Sequence, residues 1–119
     1  MSALYLHAIF AIGGGLGAVL RHWLAQQITS DLPIATLIVN VLGSLILGLW
    51  AGYLGGAQGI SPEESHLIFG FCGGFTTFSS FAYQTLDLHR NRTFAHAAGN
   101  ILLSLLLCWG ALWLGLVLT

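Results

Sequence analysis

The sequence predicts an all-α integral membrane protein of four transmembrane helices, with a break in the third. Three observations carry that expectation. Of the 119 residues, 56% are hydrophobic and only 6% are charged, against about 25% charged residues in a soluble domain; so few charges cannot clothe a water-soluble surface. The charged residues, three basic and four acidic, are Arg21, Asp31, Glu63, Glu64, Asp87, Arg90 and Arg92, and they leave long uncharged tracts between them. A bilayer core of roughly 30 Å needs about 20 helical residues at about 1.5 Å rise each. Four tracts reach that length, which places the spans at about 2–25, 33–54, 63–87 and 93–118 in a single membrane domain.

The first tract begins Met1-Ser2-Ala3-Leu4-Tyr5-Leu6-His7. It lacks the basic leader and small-residue cleavage site of a signal peptide, so it is expected to stay in the protein as a span. Its Gly13-Gly14-Gly15-Leu16-Gly17 run has neither the preceding strand nor the spacing of a dinucleotide fingerprint. Thr29-Ser30-Asp31-Leu32-Pro33 reads as the stop. In the second tract Asn40 stands alone among Ile38, Val39, Val41 and Leu42. An unpaired amide there costs several kcal/mol, so Asn40 must face protein, water or a ligand. A hydrogen bond that merely ties two spans together is one reading and a pore-facing amide is the other. Gly55-Gly56 through Ser61-Pro62-Glu63-Glu64 forms the next break, with Ser61 as helix cap and the two carboxylates facing the positive helix end.

The third tract carries Gly70-Phe71-Cys72-Gly73-Gly74-Phe75-Thr76-Thr77-Phe78-Ser79-Ser80-Phe81. Paired glycines followed by two threonines are poor helix material, and irregular backbone at membrane depth survives only where it is buried or lines a cavity. A break here would free carbonyls and amides to meet an ion. Phe78 and Phe81, three apart, share a helical face, and a ring edge is positive enough to attract an anion without holding it as a fixed charge would. Rings alone more often face lipid or core. In the fourth tract His96, Asn100, Ser104 and Cys108 recur every four residues as a polar stripe, suited to a pore wall and also to helix packing, the commoner use. Glycines at four-residue spacing, Gly13 with Gly17, Gly48 with Gly52 and Gly70 with Gly74, predict close helix contacts.

Several classes are disfavoured. Cys72 and Cys108 show no metal-ligand or disulfide spacing and read as small core residues. A net charge of −1 without a basic run gives no nucleic-acid footprint. No catalytic motif is present, so no enzyme is expected. A small multidrug-resistance-type cation exporter is the alternative reading, but it needs a titrating carboxylate in the membrane, and Glu63 and Glu64 fall in a loop. The basic residues cluster on the side of the first and third loops, yet Arg21 ends an unbroken hydrophobic tract, so the charge bias is small enough for insertion in either orientation.

Across its whole length the chain resembles the Fluc/CrcB fluoride channels. The residues that carry the resemblance are Gly13-Gly14-Gly15-Leu16-Gly17-Ala18-Val19-Leu20-Arg21, Val39-Asn40-Val41-Leu42-Gly43 and Gly73-Gly74-Phe75-Thr76-Thr77-Phe78-Ser79-Ser80-Phe81. The resemblance implies a passive fluoride-selective channel that lowers cytoplasmic fluoride from a bacterial inner membrane. It also implies an antiparallel, dual-topology homodimer with a structural sodium ion at its interface. Carried over by position, Phe78 and Phe81 would be pore rings, Asn40 the pore amide, and Ser80 part of a polar track; Ser79 is a further hydroxyl available to the ion. Arg21 would sit at the vestibule, and Gly73 and Thr76 would supply backbone carbonyls to sodium. Phe75 and Ser80 depart from the commonest form of the third motif, where an aliphatic residue and threonine are frequent.

Overall fold

The computed structural model describes residues 3–28, 32–56 and 61–119. The expected stop at Thr29-Ser30-Asp31 and the middle of the second loop lie outside the described residues. Among the described residues, three helices are long and apolar enough to cross a membrane: α1 (Ala3–Gln27), α2 (Ile34–Gly56) and α5 (Phe94–Leu118). Between α2 and α5 come two shorter helices, α3 (Pro62–Phe75) and α4 (Phe78–Asn91), of 14 residues each. At about 21 Å apiece neither crosses alone. In series they make the third span, and Thr76 and Thr77 between them are extended, with φ of −83° and −149°. The chain is therefore an all-helical, multi-pass membrane protein with its third span broken.

Local chemistry sets the helix ends. Ser61 caps α3 by accepting from Glu64 N at 3.2 Å, with Pro62 in the first turn and Glu63 and Glu64 beside the helix dipole. Thr77 caps α4 by accepting from Ser80 N at 3.1 Å, and Thr93 caps α5 by accepting from His96 N at 3.2 Å. His89 and Arg90 occupy the last turn of α4, where cations complement the dipole.

The helices pack in two tight pairs, α1 against α3 and α2 against α5, while α1 barely touches α2. Glycine makes both pairings possible. A Cβ on Gly13 would lie 2.9 Å from Phe71 N, and one on Gly74 would lie 2.7 Å from the Gly14 carbonyl carbon. In the other pair a Cβ on Gly48 would lie 3.0 Å from the Leu112 carbonyl carbon, and one on Gly115 2.7 Å from that of Gly48. Backbone meets backbone at all four places, the close approach that small residues give to membrane helices. The interior is small: Val39 and Phe75 are its largest fully buried side chains. Most leucines, with Trp23, Trp109 and Trp113, face outward, as expected where lipid is the surrounding solvent.

Candidate functional site: a chamber at the helix break

The break between α3 and α4 is held by one side chain from α2. Asn40 Nδ2 donates to Thr77 O at 3.1 Å, and Thr77 N donates to Asn40 Oδ1 at 2.8 Å. Both edges of the amide thus grip both polar groups of one peptide residue, which satisfies backbone that has left its helix at membrane depth. Of the two readings open for Asn40, the bond between spans is present; the second amide hydrogen is still available, because a carboxamide carries two.

The grip has a consequence one turn back. A continuous helix would direct Thr77 N onto Gly73 O, but Asn40 takes that donor. It would direct Ser80 N onto Thr76 O, but the Thr77 hydroxyl takes that one. Cys72 O, by contrast, receives both Thr76 N at 3.0 Å and Thr76 Oγ1 at 2.8 Å. The carbonyls from Gly73 to Thr76 thus all lose the amides a continuous helix would bring them, with Thr77 N diverted from Gly73 O and Ser80 N from Thr76 O. Gly73 is exposed, and a Cβ there would meet nothing within 4 Å.

Beside the break lies a chamber of about 350 Å³ lined by Asn40, Gly43, Ser44, Leu47, Cys72, Thr76, Thr77, Phe78, Phe81, Ser104, Leu105 and Cys108. Phe78 and Phe81 stand 5.7 Å apart between ring centroids with their planes tilted by 48°. Phe78 is 78% exposed, an outward ring on a helix of otherwise mixed character. No acidic or basic residue lines the chamber. A second cavity of about 410 Å³ is lined by Arg21, His22, Thr36, Ser80 and Gln84 among others, and also by Thr77, which thus borders both spaces.

Asn40, Phe78 and Phe81 come together in the chamber, whereas Ser80 falls into the second cavity with Arg21. Ser79 is exposed, its hydroxyl 3.3 Å from Thr77 Oγ1. The fourth-span stripe divides. His96 Nδ1 pairs with the Thr93 hydroxyl at 2.7 Å, and Asn100 Nδ2 donates to Thr85 Oγ1 at 2.9 Å, so both serve helix ends and packing; Ser104 and Cys108 line the chamber. Sequence reasoning did not single out Thr77 as the clamped residue, Gln84, or Thr85. Gln84 Oε1 is buried without a hydrogen-bond partner beside Arg21. A polar side chain in the last long polar run of the third span was the signal available for it. Cys72 is the small core residue expected, 6% exposed, whereas Cys108 is half-buried; both are free and both line the chamber.

A multi-pass helical membrane protein with an uncharged, polar-and-aromatic chamber at a broken span is the class this fold and site define. Residues 8–116 match the profile of the CrcB-like protein, Camphor Resistance (CrcB), family. The chain is similar to a protein of Methylocella silvestris named fluoride-specific ion channel FluC, at 44% identity over 87% of this chain and 85% of that one. It is likewise 41% identical to a Campylobacter jejuni protein of the same name, over 92% of this chain and 93% of the other, and 42% identical to one of Pyrococcus horikoshii over 93% of each. The chain belongs to the CrcB-like family.

Proposed function

We propose that this chain is a passive, fluoride-selective ion channel working as an antiparallel homodimer, and that fluoride passes the chamber at the break of the third span. The observation that carries the reading is the composition of that chamber: one spare amide hydrogen on Asn40, hydroxyls of Thr77 and Ser104, and two phenylalanine rings, with no fixed charge. Fluoride is small and strongly hydrated. A path for it must exchange water for several weak donors in succession, binding firmly enough to admit the ion and weakly enough to release it. Ring edges and amide or hydroxyl hydrogens meet that requirement, and an uncharged wall creates no trap. Proton-coupled export of cations would need a carboxylate in the chamber, and none lines it.

The homodimer is supported by the exposed Phe78 ring and by the open face at Gly73. A second copy there would cover apolar surface and bring its own deprived Gly73 and Thr76 carbonyls near those of the first. Four such oxygens would hold a sodium ion, which would supply positive charge that offsets the carbonyl dipoles at the interface; within each chain Asn40 diverts Thr77 N from Gly73 O, and the Thr77 hydroxyl diverts Ser80 N from Thr76 O. Arg21, in the cavity that shares Thr77 with the chamber, would draw anions toward the entrance, with Ser80 and Ser79 as hydroxyls along the approach. The family relatives carry the name fluoride-specific channel, which supports the choice of ion.

The test is fluoride release from liposomes containing the purified protein, followed by a fluoride electrode after addition of a potassium ionophore, with chloride-loaded liposomes alongside. Fluoride release without chloride release is expected. Release that requires an imposed proton or sodium gradient rejects the passive channel.

A further inference from the structure

We propose that Cys72 and Cys108 make the chamber a binding site for a soft monovalent metal cation, silver(I) or copper(I), and that the bound metal stops ion passage. The blocking half rests on the chamber being the fluoride path, as proposed above; the binding half stands on the chamber alone. Cys72 belongs to α3 and Cys108 to α5, so two separate helices each contribute a cysteine to the lining of one space of about 350 Å³. Both are free thiols. The backbone carrying Cys72 is pinned, since its carbonyl receives both the amide and the hydroxyl of Thr76. Cys108 lies one turn beyond Ser104 on the same chamber-facing side of α5.

The donor chemistry selects the ligand. Sulfur is a soft donor and prefers copper(I) and its heavier congener over magnesium, calcium or sodium, which favour the oxygens of Asn40, Thr76 and Ser104. Charge is the second constraint. No ionised side chain lines the chamber, so a cation entering intact would suffer the full cost of desolvation. A thiol removes that obstacle by exchange: its S–H bond breaks, an S–metal bond forms, and the proton leaves to water, one positive charge for one. The second sulfur donates a lone pair to the same ion without changing the charge. A neutral metal thiolate then occupies space beside Phe78 and Phe81 that a fluoride ion would cross.

Silver nitrate is the probe, in chloride-free nitrate buffer, because silver fluoride is soluble and the electrode signal is preserved. Silver retained by the protein after gel filtration is measured by elemental mass spectrometry, and fluoride release is measured on the same preparation. The parent is expected to retain silver and to release fluoride about tenfold more slowly or less when loaded, with the rate restored by dithiothreitol, the competing thiol. Cys108→Ala, which removes the half-buried thiol, and the Cys72→Ala/Cys108→Ala pair are expected to release fluoride at the same rate with and without silver. Absence of retained silver on the parent overturns the site. Equal retention and equal block in the single and double variants also overturns it, because the histidines would then be the ligands. If the unloaded parent passes no fluoride, the channel reading fails, while retention by the parent and loss of retention in the variants still uphold the metal site.

Discussion

Asn40→Ala is the substitution that tests the clamp most directly. It removes two hydrogen bonds, of 3.1 and 2.8 Å, from a backbone residue that is 7% exposed. A net value of about 0.5–1.5 kcal/mol per bond makes the expected loss about 1–3 kcal/mol, and the ~0.6 kcal/mol average for polar contacts between membrane helices supports the lower part of that range. At about 1.4 kcal/mol per tenfold, the folded-to-unfolded ratio falls roughly 5- to 140-fold. With Asn40 gone, Thr77 N regains access to Gly73 O, so α3 and α4 are drawn toward one continuous helix and the fluoride release rate is expected to fall as well. Stability is measured by titrating dodecyl-maltoside micelles with dodecyl sulfate and following helicity. Ser44→Ala serves as the comparison, because its hydroxyl donates only to the Asn40 carbonyl of its own helix, at 2.8 Å. If Asn40→Ala costs no more than Ser44→Ala, the two bonds do not hold the break and the reasoning fails.

Other substitutions read other parts of the structure. Gly17→Ala is expected to destabilise the protein, since its Cβ would lie 2.7 Å from Phe75 N; Gly15→Ala, with nothing within 4 Å, is expected to be neutral or to stabilise by up to about 1 kcal/mol through helix propensity, and the same micelle titration compares their signs. Phe78→Ile and Phe81→Ile are expected to retain fold and apolar volume while slowing fluoride release in the electrode assay by about tenfold or more, because an aliphatic group lacks the positive ring edge. Asn100→Leu, which breaks the bond to Thr85, is expected to cost about 0.6 kcal/mol with fluoride release unchanged. On the proposed sodium-bridged homodimer, replacing sodium with N-methylglucamine throughout purification is expected to raise the monomer fraction on size-exclusion light scattering.

The apolar helical tracts, the Ser61 cap and the existence of a break in the third were legible because each is a local signal. Segment length, the Ser61-Pro62-Glu63-Glu64 cap and the Gly-Gly-Phe-Thr-Thr run act within a few residues of themselves. The cause of the break was read less well. The glycines at 70, 73 and 74 are helical, and Gly70 and Gly74 serve close packing against Phe10 and Gly14; the departure from helix begins only at Thr76 and Thr77. What fixes it is an amide 37 residues earlier in the chain, a separation at which residue type says nothing about partner. The polar stripe of α5 was visible as a stripe, but its division between packing at Asn100 and chamber wall at Ser104 depends on how far α4 runs before it leaves α5. Gln84 stood in a polar stretch with no spacing to mark it, and only the neighbouring Arg21 cavity gives its buried oxygen a context.

The pairing of α1 with α3 and of α2 with α5 has a bearing on how the chain is made. Neighbours in sequence are not neighbours in packing at the amino-terminal end: the first span has almost no surface in common with the second, and its glycine row waits for that of the third. The second span likewise finds its groove only when the last helix has been synthesised. The first two spans share too little surface to close as a self-sufficient hairpin, so the assembling protein must keep these early helices laterally close until the later ones arrive. The Asn40 amide gains its two bonds to Thr77 only once the third span is in place.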